Sequence, residues 1–148
     1  HEGTHGIQAL DLLGRKVRQD QGSGLRLLCE TMAACAERAR SHPALAPHAQ
    51  ALTGAMGRVV QATDSAWQFP APRALANAVP YMQALGHTVL AWIWLDVACA
   101  SLGEGSADQG RRAACQYFYH YELPKIEAWL QVVSAGDTTC ADLSEEAF

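Results

Sequence analysis

Apolar residues recur at three- and four-residue steps along almost the whole 148-residue chain, and sustained two-residue alternation of the strand kind is missing. A pattern with the helical period cannot keep one face of a pleated strand buried, so the fold class is all-α. Five helices are predicted. Over 6–19, Ile7, Leu10, Leu13 or Gly14, and Val17 form a stripe, with Asp11 four residues ahead of Arg15 on another face and Thr4 placed to cap the start. Gln21-Gly22-Ser23-Gly24 breaks the pattern. A second helix carries Leu25, Leu28, Met32, Cys35 and Ala39, and ends near Ser41-His42-Pro43. The third, over 46–68, has a weaker stripe through Leu52, Met56, Val59 or Val60, and Thr63, and Phe69-Pro70-Ala71-Pro72 follows as a stiff connector.

The fourth helix, over 73–101, is the strongest signal. Leu75, Val79, Met82, Leu85, Val89, Ile93 and Val97 share a broad stripe, joined by Trp92 and Trp94, and the apolar residues nearly encircle the second half. Such a helix belongs at the centre of the fold. Pro80 is expected to kink it or to split off its first turns. A fifth helix over 107–135 turns Ala114, Phe118, Tyr121, Trp129 and Val133 inward, with a bend at Pro124 that frees the carbonyl of His120. The acidic tail, 136–148, has room for one turn around Ser144-Glu145-Glu146. Short breakers between these segments predict an up-and-down helical bundle of about five helices.

Composition narrows the function classes. A hydrophobic share of 49% against 18% charged residues excludes a disordered segment, and a net charge of -4 leaves no cationic field for a nucleic-acid backbone. Five cysteines without CxxC spacing read as free thiols in a reducing cytosol. The most apolar stretch, 89–100, contains Asp96 and falls short of the roughly 20 residues that cross a bilayer, so no membrane span is expected. A chain that opens on His1 rather than Met is expected to be part of a longer protein.

The densest chemistry lies at that opening. His1-Glu2-Gly3-Thr4-His5 satisfies H-E-x-x-H, the pattern that sets two zinc-binding imidazoles beside a glutamate base on one helical face. Gly3 disfavours a helix interior, Thr4 reads as a cap, and no third ligand follows at a metzincin spacing, so a zinc hydrolase is the least favoured reading and no metal site is assigned. Glu2-x-x-His5 is also half of a di-iron carboxylate motif, but the second copy that such a site needs is missing. His42, His48, His87 and His120 read as loop, surface or satisfied core residues. The alternative places Glu2 on a tight turn just ahead of a helix, where a carboxylate faces a cleft beside free backbone N–H groups. That geometry suits a base next to an anionic cofactor.

Glu2-Gly3-Thr4-His5-Gly6-Ile7-Gln8 resembles the E-G-T-x-x-I-Q segment of acyl-CoA dehydrogenases. The stretches 86–95 and 141–148 resemble the extra C-terminal helical domain of a long bacterial branch of the same family. The resemblance implies that Glu2 is the catalytic base that takes the α-proton of an acyl-CoA thioester while the β-hydride moves to FAD. It implies that Gly3 lies against the thioester, that Thr4, His5 and Gly6 touch FAD, and that His1 stands where the family commonly has tyrosine. It further implies an acyl-CoA substrate, an electron-transferring flavoprotein as oxidant, a homo-oligomer and a cytoplasmic bacterial setting. Residues 1–22 are then the end of the catalytic helical domain and 23–148 an appended bundle, inactive without the flavin-holding segments. The competing class is a noncatalytic helical interaction module.

Overall fold

Seven α-helices form among residues 3–147, the residues that the structure, a computed structural model, describes. They are α1 (Gly3–Asp11), α2 (Gln19–Arg40), α3 (Ala46–Ala66), α4 (Ala71–Leu75), α5 (Ala78–Cys99), α6 (Ser106–Tyr117) and α7 (Ile126–Ala135). No strand occurs among the described residues. Two of the five predicted helices are divided, which accounts for the seven. The fourth separates into α4 and α5 at Ala76-Asn77, leaving Pro80 in the first turn of α5, where backbone N–H groups lack helical partners anyway. The fifth breaks at Pro124. Without an N–H there, the chain passes through a π turn (Phe118–Glu122) and a 3-10 turn (Leu123–Lys125) before α7 resumes.

Helix α1 starts ahead of its expected cap. It already includes Gly3, so Thr4 sits inside the first turn and is no cap. Ala9 and Leu13 anchor the helix in the core, and the propensity cost of Gly3, about 1 kcal/mol, is too small to end it. A π turn, Leu12–Lys16, continues it.

Helix α5 packs against α1, α2, α3, α6 and α7, as its nearly continuous apolar surface requires. Its neighbour α6 is antiparallel to it. On α6, Arg112 donates to the Ser101 carbonyl and Tyr119, just beyond the helix, donates to the Ala91 carbonyl at 3.0 Å, so α6 runs back along α5. The inward face of α5 differs from the expected stripe. Ala78, Tyr81, Ala84, Leu85, Thr88, Ala91, Leu95 and Ala98 are buried, whereas Ile93 is 46% exposed. Because α5 is apolar nearly all round, its pattern does not select a side; close helix packing does, and it favours the row containing four alanines. Tyr121, expected inside, is 65% exposed and stacks on Tyr117 at 5.0 Å. The wider π turn shifts the inward positions to Tyr119, Leu123 and Ile126.

The expected breaker after the first helix is realised as three successive left-handed residues, Asp20 (φ 50°), Gln21 (φ 58°) and Gly22 (φ 79°). Each non-glycine residue there costs about 1–2 kcal/mol. Buried Val17 on one side and Leu25, packed against the core, on the other hold the turn in place. At the far end, α7 stops at Gly136 (φ 59°), where an added Cβ would lie 2.5 Å from the Phe69 ring. Arg73 stacks over that ring at 4.0 Å and donates to the Gly136 carbonyl at 2.8 Å, tying α4 to the end of α7. Gly136→Ala is therefore expected to cost about 2 kcal/mol through left-handed strain and displacement of Phe69, read as a drop of several degrees in Tm.

All five cysteines are free thiols. No helix among the described residues is long and apolar enough to cross a membrane.

Candidate functional site

Of the predicted site residues, Gly3 to Gly6 lie at the start of α1. His1 and Glu2 fall outside the described residues, so the expected base has no described geometry. Gly3 is the first residue of α1. Thr4 and His5 are exposed on its opening turn, and Gly6 is half-buried, with open space where a Cβ would project. The rest of the segment explains why that turn faces outward. Ala9, Leu13 and Val17 are buried, and the Trp67 indole N–H donates to the Leu13 carbonyl at 3.3 Å. Arg18 lies 3.8 Å over the Trp67 ring, a cation–π contact that clamps the end of the segment to α3. On the outer side, Arg15 pairs with Asp11 at 2.6 Å and holds its carboxyl below the usual carboxylate range. The inward residues fix the helix and leave its first turn free to face another surface.

For a flavin, this turn offers the Thr4 hydroxyl and the His5 imidazole as one wall. A ring system needs enclosure as well, and neither Thr4, His5 nor Gly6 lines the grooves described below. Thr4 to Gly6 could supply one edge of such a site, and its other walls would have to come from elsewhere. Among the described residues, no group of three His, Cys, Asp or Glu side chains converges to hold a metal ion.

Three other constellations form across the bundle. A groove of about 670 Å³ lies where α1 gives way to α2, bounded by Val17, Arg18, Leu25, Thr63 and Trp67. Beneath it Thr63 and Tyr81 share a buried hydrogen bond of 2.7 Å, and burial raises the Tyr81 hydroxyl to about 12. Cys35, Asp96 and Arg38 meet between α2 and α5, with the Cys35 thiol 3.8 Å from the Asp96 carboxylate and Arg38 2.6 Å from it. Burial raises Cys35 to about 11 and Cys115 to about 12, so these thiols stay protonated and act as packing groups, not nucleophiles. The third is a groove between α3 and α6, where His48 and His120 come together. Seventy-two positions separate these two histidines, and no local spacing announces their meeting. The Thr63–Tyr81 pair joins two helices in the same unannounced way.

With this geometry in hand, comparison with known proteins gives a definite family. Residues 28–144 match the family model described as acetyl-CoA dehydrogenase C-terminal like. The chain belongs to that family. It is also 37% identical, over 150 aligned positions, to 3-methylmercaptopropionyl-CoA dehydrogenase of Ruegeria pomeroyi. That match covers 93% of this chain and 25% of the relative, so the chain spans about a quarter of the length of its curated relative. The family region takes in α3 to α7 and the part of α2 from Leu28 onward, while α1 precedes it.

Proposed function

We propose that this chain serves as the C-terminal part of an FAD-dependent acyl-CoA dehydrogenase, converting an acyl-CoA thioester to its 2,3-enoyl-CoA. One observation carries the reading: over 93% of its length the chain aligns with a protein whose name is that of an acyl-CoA dehydrogenase, while covering only a quarter of that protein. The E-G-T-x-x-I-Q segment adds the residue-level assignment. Glu2 is the base for the α-proton, since a carbon acid needs a carboxylate held at contact distance, and a buried glutamate with a raised pKa is a stronger base. Gly3 has no side chain to hold a thioester away from the backbone. Thr4, His5 and Gly6 form the edge that faces the cofactor, and bound FAD supplies the hydride acceptor.

Residues 1–22 then belong to the catalytic helical domain and 23–148 to the appended bundle, with the left-handed turn at Asp20 to Gly22 at their junction. An electron-transferring flavoprotein as oxidant, assembly as a homo-oligomer and a cytoplasmic setting complete the proposal. A noncatalytic interaction module is the second reading. It draws on the exposed apolar side chains Ile7 and Leu10 of α1 and Leu90 and Ile93 of α5.

The test is spectroscopic. A longer protein ending in this chain is expected to purify with a flavin absorbance that an acyl-CoA bleaches under anaerobic conditions. A colourless protein, or a flavin unaffected by acyl-CoA of any chain length, overturns the dehydrogenase reading and leaves the interaction module.

A further inference from the structure

The groove between the beginning of α3 and the outer side of α6 differs in character from the rest of this acidic chain. Around a volume of about 470 Å³ it gathers His48, His120 and Arg112 with the side-chain amides of Gln109 and Gln116, and its lining includes no Asp or Glu. These side chains are held in position. His48 stacks on the Tyr119 ring at 4.6 Å, and Tyr119 is locked by its hydrogen bond to the Ala91 carbonyl. His120 stands edge-on to His48 at 6.1 Å. Arg112 is fixed by donating to the carbonyls of Ser101 and Gly103, neither of which neutralises its charge.

Asp108, one turn before Arg112 on α6, is taken up by the Gly103 amide at 3.0 Å and by Arg111 at 2.9 Å. The charged or titratable groups that line this groove or stack on His48 are therefore Arg112 from α6 and Tyr119 and His120 from the π turn. Burial, and then the neighbouring His120, hold His48 below the ordinary histidine pKa.

We propose that this groove binds the phosphate group of a phosphorylated small molecule. Arg112 supplies a permanent positive charge, and each of the two imidazoles supplies an N–H donor. The oxygens of a tetrahedral oxyanion can accept from Arg112 and both imidazoles together, more than the two oxygens of a carboxylate offer. The volume lies within the range of small-molecule sites, and Leu45, Pro47 and Ala113 give an apolar wall for the organic part of the ligand. The sign of the pH dependence follows. An anion favours the charged imidazole and raises the His48 pKa, so by linkage affinity rises as pH falls through the histidine range. This site stands apart from α1 and does not depend on the dehydrogenase reading.

The experiment is an NMR titration of the histidine ring protons in the 148-residue chain with inorganic pyrophosphate and with sulfate, at constant ionic strength. Saturable shifts are expected at His48 and His120, while His5, His42 and His87 serve as internal references. Sulfate keeps its charge throughout, and it is expected to bind about threefold more tightly near pH 6 than near pH 8, the factor that follows when binding raises by about one an imidazole pKa that starts below the ordinary histidine value. Ala113→Glu, at an exposed position, is expected to abolish binding while leaving the melting temperature in place, and His48→Gln to remove the pH dependence. Shifts that do not saturate, or affinity unchanged in Ala113→Glu, overturn the proposal. Binding to vesicles containing an anionic phospholipid, with none to pyrophosphate, overturns it in favour of a lipid headgroup.

Discussion

Leu95→Ala is expected to lower the unfolding free energy of the chain by about 2–5 kcal/mol, and Ile93→Ala, two residues earlier on the same helix, by less than about 1 kcal/mol. Both residues are large and aliphatic, and the sequence pattern alone favours Ile93 as the inward one. Their surroundings in the bundle are opposite. Leu95 is fully buried at the centre of five packed helices, so truncation removes buried methyl groups and leaves a cavity that close-packed neighbours fill only in part. Ile93 keeps 46% of its surface exposed, so truncation there forms no enclosed void. Urea unfolding of the two variants measures the difference, provided that the slope m stays that of the wild type. Equal losses, or a larger loss for Ile93→Ala, would mean that α5 presents the other face to the core.

The second large effect concerns activity. On the proposed function, Glu2→Gln in the longer protein is expected to retain bound flavin and substrate affinity while slowing flavin reduction by acyl-CoA by at least about 10²–10⁴-fold. Glutamine matches glutamate in size and keeps a hydrogen-bonding oxygen, so what is lost is the ability to accept the α-proton. Stopped-flow bleaching of the flavin isolates that step from reoxidation by the electron acceptor. Reduction at the wild-type rate would remove Glu2 from the mechanism even if the protein proved to be a flavoprotein, which separates the residue assignment from the family-level reading.

The local devices of the fold were legible because each depends on a residue and its near neighbours. Pro124 announces a bend because it lacks an N–H, and the π and 3-10 turns occur around it. Pro80 marks a division near the start of α5, and the Gln21-Gly22 region marks the end of the first helical segment. Thr4 shows the limit of such signals. Its cap preference is worth about 1 kcal/mol, and the anchoring of Ala9 and Leu13 in the core lets the helix run past it. Tyr121 shows another limit, since one wide turn between Phe118 and Glu122 is enough to move its ring to the surface.

The candidate sites divide along the same line. The segment from Glu2 to Gln8 is recognisable because its residues are consecutive and their order carries the likeness. The groove of His48, Arg112 and His120 has no such signature, because α3, α6 and the π turn meet only after the chain has folded back on itself.

By itself, the amino-acid sequence determined the helical class, the positions of the breaks and the central place of the most apolar helix. Periodicity, missing N–H groups and total apolar surface are properties of a segment taken alone. Tertiary structure decided which face of α5 is inward, where Tyr121 points and which distant histidines become neighbours. Those outcomes depend on how closely two helices approach, and that distance is set by the pair of surfaces in contact and not by either one.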